Sequence, residues 1–522
     1  VRLLVAAFFA VATALIATAV SAEPRSPDKD GLIGDGYFFD ISGQRRPFRP
    51  TQAAWFSEYE PKPDYTRAML EVAILLGLQT ISYWARPAAN SFDWDDPEFV
   101  NRLNLTAVRF DNNLAFTNFF LHPLSGALSY WFARMNDVSV PISQLYAIAA
   151  SMVWEFALEW REEVSINDLI VTPMGGVPAG AFAAVLSDYL NSTPENPTVP
   201  KQTAEAVLGF PRLMHPWRVD PNSTPGRLPP DSLGFSSAFW HRFRIGFETS
   251  AVSVESRRDQ LNGFQVDGEL VSMVGFLRPG RFHKVFAHDN FTEAHFRVGF
   301  TPRGYTDVQF RTSATLVGWY SQDFKTVRHG IAGHGVMAGL AYGLRYVERT
   351  YAQSRDMFGN VNLFGVSSGV WLGFGPLRLR ALGDVHYDFG AAQALALPQY
   401  KLENPHQQLK SVLEIQGYDY GMGPFARIRA ELTVDSVTLG GYADYGFLRM
   451  IGGLDRWEER NPYETNGHET IFEYGTWVRF EPRRIPFYVM GSLDFTERTS
   501  MLVNVKAERF DKRMGGSVGL SF

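Results

Sequence analysis

Apolar residues follow two different periods along this chain. From Tyr65 to Ala85 the positions Ala68, Met69, Val72, Leu75, Leu76 and Leu78 recur at helical spacing until Pro87 ends the run. A second helical stretch covers roughly Leu114 to Arg134, interrupted at His122-Pro123. A third starts at Pro141, a residue favoured in the first helical turn, and runs to about Glu163. A fourth runs from about Ser165 through Asn191, with breaks expected at Pro173 and Pro178. Each uninterrupted apolar run is shorter than the ~20 residues of a transmembrane helix. The expectation is a helical module buried in protein, either as a bundle beneath a barrel or as a plug inside one.

Beyond Phe239 the period becomes two. Ile428, Ala430, Leu432 and Val434 alternate with Arg427, Arg429, Glu431, Thr433 and Asp435, and Leu377, Leu379, Ala381 and Val385 alternate with Arg378, Arg380, Asp384 and His386. Strands with one apolar and one charged face fit a soluble sandwich or a membrane barrel. Several run beyond ten residues, the length a tilted membrane-crossing strand needs. The predicted fold class is therefore an α+β membrane protein: an N-terminal helical module followed by a C-terminal antiparallel transmembrane β-barrel of about 12 to 14 strands. The final segment, Gly515 to Phe522, alternates Val518, Leu520 and Phe522 with Ser517, Gly519 and Ser521, and resembles the sorting signature of bacterial outer-membrane barrels.

Five segments follow. Residues 1–22 read as a cleaved secretory signal, with Arg2 ahead of an apolar run from Leu3 to Val20 and small residues at Val20 and Ala22. Residues 23–64 are an irregular lead-in, 65–191 the apolar helical module, 192–234 a proline-rich linker and 235–522 the barrel. Nine prolines between 192 and 232 mark the boundary between helices and strands. The expected location is the outer membrane of a Gram-negative bacterium, with outer-membrane lipid as a partner.

Composition removes some chemistries. The 522 residues include no cysteine, which excludes disulfides, thiolate nucleophiles and Cys-ligated metal sites. The formal net charge of -6 provides no field for nucleic acid. Aromatic residues at 14% together with 46 glycines suit a barrel, whose rings form interfacial girdles and whose glycines permit close strand packing.

Candidate chemistry sits in the helices. Glu155 and Glu159 are four apart and share a helix face, so a buried pair of carboxylates could work as acid and base, or Glu155 could simply pair with Arg134. His122 could be a base or a hydrogen-bonded core histidine; with no His-x-x-x-His nearby, no metal or other cofactor is predicted. Ser165 and Asp168 have the spacing of a capping box, which accounts for Asp168 without catalysis. Gly176 and Gly180 are placed to let another helix approach closely. The string Gly365-Val366-Ser367-Ser368-Gly369 matches a nucleophile elbow but lies inside an alternating strand run. His283, His288 and His295 share no helical face, and Arg378, Arg380, Arg427 and Arg429 form inward basic rows that would either bind an anionic solute or lipid A, or pair with lumen acids.

The segments His122-Pro123 to Gly126, Phe132-Ala133-Arg134, Trp154-Glu155, and Ser165 through Asn167-Asp168-Leu169 and Thr172 to Gly175-Gly176 together resemble the bacterial domain-of-unknown-function 3943 family over about residues 110–185. Val164 replaces a proline of that pattern, and Ala181 an acidic residue. The resemblance implies an exported protein with an outer-membrane barrel and implies no reaction. Two functions remain open: a non-enzymatic barrel serving passage, binding or envelope organisation, and an envelope enzyme acting on lipid or cell-wall material through His122, Arg134, Glu155, Glu159 and Asp168.

Overall fold

The computed structural model describes residues 63–85, 97–191, 199–213 and, apart from 232, 234, 236–237, 255–256, 288–290, 302–303, 305, 352–353, 457–465 and 483–484, residues 231–522. It also gives the backbone of a small antiparallel pair, β1 (Tyr37–Phe39) and β2 (Arg45–Pro47). The expected signal, most of the lead-in, most of the proline-rich linker and His288 lie outside the described residues.

The second half forms a thirteen-stranded antiparallel sheet. Its strands are β5 (Trp240–Val254), β6 (Arg257–Val271), β7 (Gly280–Phe286), β8 (Phe291–Phe300), β9 (Thr306–Val327), β10 (Gly330–Tyr351), β11 (Ser354–Gly375), β12 (Leu377–Gln393), β13 (Tyr418–Val434), β14 (Val437–Met450), β15 (Gly467–Phe480), β16 (Tyr488–Leu502) and β17 (Val505–Ser521). Twelve of them close a ring, sealed where β17 pairs β5 from Asp511↔Val254 to Ser521↔Arg244. The extra strand, β7, lies in line with β8 along the same neighbour, β9. Closure leaves the twelve-strand wall no open edge.

The period of two sorts the wall into a wet inside and an apolar outside. Arg509, Asp511 and Arg513 of β17 point inward, whereas Phe510, Met514 and Val518 are exposed on the outer skin. Inward charges reach across the barrel to strands that are not their neighbours: Arg311 to Asp444 at 2.6 Å, Arg513 to Asp307 at 2.6 Å, Arg380 to Glu269 at 2.7 Å and Arg242 to Glu431 at 2.9 Å. Arg345 with Glu473 and Arg498 with Asp356 make two more such links. Of the inward basic rows predicted from the sequence, Arg380 and Arg429 meet acids on the far wall and Arg427 meets Asp444 on the neighbouring strand, and a cavity of about 200 Å³ remains in the lumen.

Both mouths are filled from within. At the end where β17 finishes, the β6–β7 connection turns into the lumen. Gln322 accepts from the Leu277 N–H at 3.0 Å and donates to the Arg278 carbonyl at 2.7 Å, and Phe276 packs on Tyr320 and Trp371. At the opposite end the β12–β13 connection, with helices α8 (Leu397–Glu403) and α9 (Ser411–Ile415), folds over the rim. Leu397, Tyr400 and Leu413 cluster there with Met450, Leu502 and Val505.

Removing one partner of a buried lumen pair strands a charge. Arg498 donates to both Asp356 and Glu469 and is 3% exposed, so Arg498→Met is expected to lower stability by about 3–5 kcal/mol, read as an earlier urea midpoint for the heat-modifiable gel band. Lys506→Met, which breaks an exposed pair with Glu508, should shift that midpoint by about 0.5 kcal/mol or less.

The helices are α1 (Tyr65–Trp84), α2 (Phe99–Leu103), α3 (His122–Met135), α4 (Val140–Val153), α5 (Ile166–Leu190), α6 (Val199–Leu208) and α7 (Phe210–Leu213). They pack on the outside of the wall. Along α5, Val171 meets Leu344 and Val361, Val177 and Ala181 meet Ala314 and Leu316, Phe182 lies against Gly268, and Tyr189 meets Phe243. Strand neighbours of these wall positions, among them Arg345, Arg311 and Asp267, point into the lumen. This corrects the expected helical plug: cross-linked side chains leave the lumen no room for a helix, and the outward residues opposite α5 are apolar or glycine. It also corrects the expected helix breaks, because α5 continues through Pro173 and Pro178 for 25 residues, both prolines being buried in its packing. Among the described residues, α5 is the helix long and apolar enough to cross a membrane.

Helices α3 and α5 cross at glycines. A Cβ at Gly180 would stand 2.8 Å from the Ala127 carbonyl oxygen, and one at Gly176 would stand 2.6 Å from the Ala127 nitrogen. Gly176 and Gly180 therefore allow the close approach expected of them.

Candidate functional site

A buried polar seam joins the helical module to the barrel near its capped mouth. It begins with a short parallel pair, β3 (Val108–Arg109) and β4 (Val164–Ser165), in register Val108↔Val164 and Arg109↔Ser165. That pairing sets Asp111 beside the start of α5. Ser165 caps α5, its Oγ accepting from the Asp168 N–H at 3.2 Å. The reciprocal half of the expected capping box is made by another residue: the Ser165 N–H donates to Glu155 Oε2 at 2.9 Å.

Asp111 is the hub. Its Oδ1 accepts from Asn118 Nδ2 at 2.9 Å and from the Tyr420 hydroxyl at 2.9 Å, and its Oδ2 accepts from Ser165 Oγ at 3.2 Å and Asn113 Nδ2 at 3.0 Å. Its backbone N–H donates to Asn167 Oδ1 at 3.0 Å. Burial works to raise the Asp111 carboxyl, but hydrogen bonding with Asn167, Asn118 and Tyr420 and the charge of the nearby His122 ring prevail and hold it below the ordinary aspartate range. Asn118, fully buried, also sets its Nδ2 3.1 Å from the Tyr418 hydroxyl and 2.7 Å from the Tyr420 hydroxyl. Tyr418 and Tyr420 belong to β13, so this network fastens the module to the wall.

Two π-helical turns place the helical members. Thr117–Leu121 leads into α3, and this widened turn accommodates Pro123, which has no N–H to give a regular helix. Trp154–Leu158 extends α4 and turns Glu155 inward. His122 Nε2 stands 3.6 Å from Asp168 Oδ2, and Asp168 Oδ1 accepts from Asn167 Nδ2 at 3.0 Å.

Of the residues singled out from sequence, His122, Glu155 and Asp168 meet in this network. Glu159 lies at its edge, accepting from Trp154 Nε1 at 2.7 Å. Arg134 lies elsewhere: it donates to the Val138 carbonyl at the far end of α3, and the Glu155 carboxylate accepts from the Ser165 N–H instead, while the Arg102 guanidinium donates to the backbone carbonyls of Glu155 and Glu162. The reason is geometric, since α3 carries Arg134 more than three turns away from His122. Asp111, Asn118, Tyr418 and Tyr420 were missed. The run Asp111-Asn112-Asn113 just ahead of an apolar helix was the available signal; the two tyrosines lie some 300 residues away and gave none.

The seam is closed to solvent. Asn118, Glu155, Asp168 and Asp111 are 0 to 4% exposed, which suits a structural fastening better than substrate access. Among the described residues no cluster of three or more His, Asp or Glu could hold a metal ion. Ser367 lies within β11, away from any strand-to-helix turn, and His295 pairs with Asp267. His283 sits in β7.

Solved structures similar to this chain are outer-membrane barrels. The Acinetobacter baumannii outer membrane protein Omp33 is 6% identical, covering 54% of this chain and 99% of that one with a TM-score of 0.20. A Pseudomonas aeruginosa FadL homologue is 8% identical, covering 56% and 92% with a TM-score of 0.22. The translocator domain of the Neisseria meningitidis autotransporter NalP is 10% identical, covering 54% and 88% with a TM-score of 0.20. No curated protein matches the chain. A family model described as Domain of unknown function (DUF3943) matches residues 107–211. A segment matching the DUF3943 model, which includes the helical side of the polar seam and α3 to α5, is thus docked on the outer wall of an outer-membrane-type β-barrel.

Proposed function

We propose that this is a non-enzymatic outer-membrane protein in which the barrel is a closed scaffold and the helical module on its flank performs the binding or envelope-organising role. The observation that carries this reading is the lumen, bridged by ion pairs between opposite strands and covered at both mouths by its own connections. A passage for solutes would need a water-filled bore, which this interior does not offer. The first barrel strand starts and the last one finishes at the same end, and the two longest connections between consecutive strands, β12–β13 and β14–β15, lie at the other. By the usual asymmetry of such barrels, the first end faces the periplasm and the polar seam lies toward the cell exterior.

The full chain reconstituted in a planar bilayer is expected to give no steady ohmic current. A stable, voltage-independent conductance would overturn the closed-scaffold reading.

The enzyme reading draws on the contact between His122 and Asp168, with the His122 side chain 18% exposed. It is the weaker one, because the remaining polar groups pair off in a sealed interior without a shared opening to substrate.

A further inference from the structure

We propose that the helical module lies within the hydrocarbon layer beside the barrel, with lipid acyl chains as the partner of its outward faces. This rests on the membrane placement of the barrel and goes beyond it, because an appended helical module is equally compatible with a place in the aqueous periplasm.

The outward surface of the module carries the argument. Between Val72 and Trp84 the exposed positions of α1 are Ala73, Ile74, Gly77, Leu78, Ile81 and Ser82, with Ile74, Leu78 and Ile81 each more than 60% exposed. Along α4 and its π-helical extension, Leu145, Ala149, Met152, Val153 and Ala157 face outward. Neither face holds a charged residue. A helix pair washed by water places Lys, Glu or Arg on its outer stripe, and an apolar surface of this extent marks a contact with another apolar phase.

Charge returns only at the two ends. Arg67 pairs with Glu71 at 2.8 Å in the first turns of α1, and at the other end Arg161 lies over the Trp84 ring at 4.0 Å with Trp160 beside it. Aromatic and basic residues at helix ends are the anchors expected at a membrane interface. The 20 residues of α1 span about 30 Å, the thickness of a hydrocarbon core.

The module is also continuous with the outer skin of the barrel. Leu344 and Val361 lie beneath α5, and further along the same two strands Leu340 and Val366 are more than half exposed to the surroundings. One apolar surface therefore runs from the wall onto the helices.

The absence of cysteine allows single-cysteine variants without a background. Ile74→Cys, Leu78→Cys and Met152→Cys would carry nitroxide labels in phospholipid vesicles, with Val478→Cys and Phe510→Cys as outer-wall references and Glu508→Cys, whose native side chain is 64% exposed, as the aqueous one. Retention of the heat-modifiable band selects folded variants. The expected result is several-fold greater collision with oxygen than with a water-soluble nickel chelate at the helical sites, as at Val478, and the reverse at Glu508. Nickel-accessible helical sites beside oxygen-accessible wall sites would overturn the inference and leave the barrel reading intact. Nickel access at Val478 itself would overturn both. Protection from both reagents at Ile74, with spin–spin broadening, would show a second copy covering the face and would also overturn the proposal.

Discussion

Asp111→Leu will release the helical module from the wall while the barrel stays closed. The substitution leaves the Tyr420 hydroxyl, the Asn118 amide and the Ser165 hydroxyl without their shared acceptor inside a dry seam. At about 1–3 kcal/mol for each buried donor left unpaired, docking weakens by about 4 kcal/mol. Limited proteolysis of the detergent-purified protein reads this directly: cleavage between α1 and α5 should accelerate by about a thousandfold, the factor equivalent to that loss, if opening stays fast relative to cleavage, while the heat-modifiable barrel band is unchanged. Unaltered protection would mean that the seam does not hold the module.

The same group sets a pH dependence. The Asp111 carboxyl is held below its usual range, so its contribution is fully present above the unfolded value, about pH 4, and is lost as pH falls through the folded value. The Asp111 share of the protection, read as the difference between wild type and Asp111→Asn, should be level from neutral to about pH 5 and decline below about pH 4. Asp111→Asn should be less protected throughout and should lack the part of that decline due to this carboxyl.

The second large effect lies at the crossing of α3 and α5. A Cβ at Gly176 would meet the Gly126 carbonyl carbon at 2.5 Å and the Ala127 nitrogen at 2.6 Å; both are backbone atoms and cannot swing aside as a side chain would. Gly176→Leu must separate the two helices, at about 3 kcal/mol or more. Thermal melting followed at a helical circular-dichroism wavelength should show early loss of the helical signal ahead of the barrel transition. Gly77, in α1, has nothing within 4 Å of its would-be Cβ, and Gly77→Ala should be neutral or stabilising by up to about 1 kcal/mol. Equal effects at the two positions would remove the crossing as the cause.

Much of the wall was readable in advance because its physics is local. Arg427, Arg429 and Glu431 alternate with Ile428, Ala430 and Leu432, and that alternation alone says which side is wet. Twelve strands in the ring lie inside the expected 12 to 14. Helix positions were similarly accessible: the periodic run from Tyr65 becomes α1, and Ser165 caps α5. The side of the wall on which the helices lie was not legible, since an apolar helical face is satisfied by a lumen, a bundle or an outer skin alike. Deciding it needs the cross-lumen pairs, each of which joins residues more than 100 positions apart. The seam was half visible for the same reason: Ser165, Asp168 and Glu155 sit in one compact motif, whereas Tyr418 and Tyr420 come from β13 and Arg102 from a five-residue helix with no periodic signal.

The pairing of β17 with β5 also dictates an order of events during biogenesis. Residues 65–190 leave the ribosome well before Val505 to Ser521, yet the surface on which α5 rests is complete only when those last residues zip onto Trp240–Val254. Until then four greasy segments have no resting place, so the helical module is expected to settle last, after the cylinder has shut.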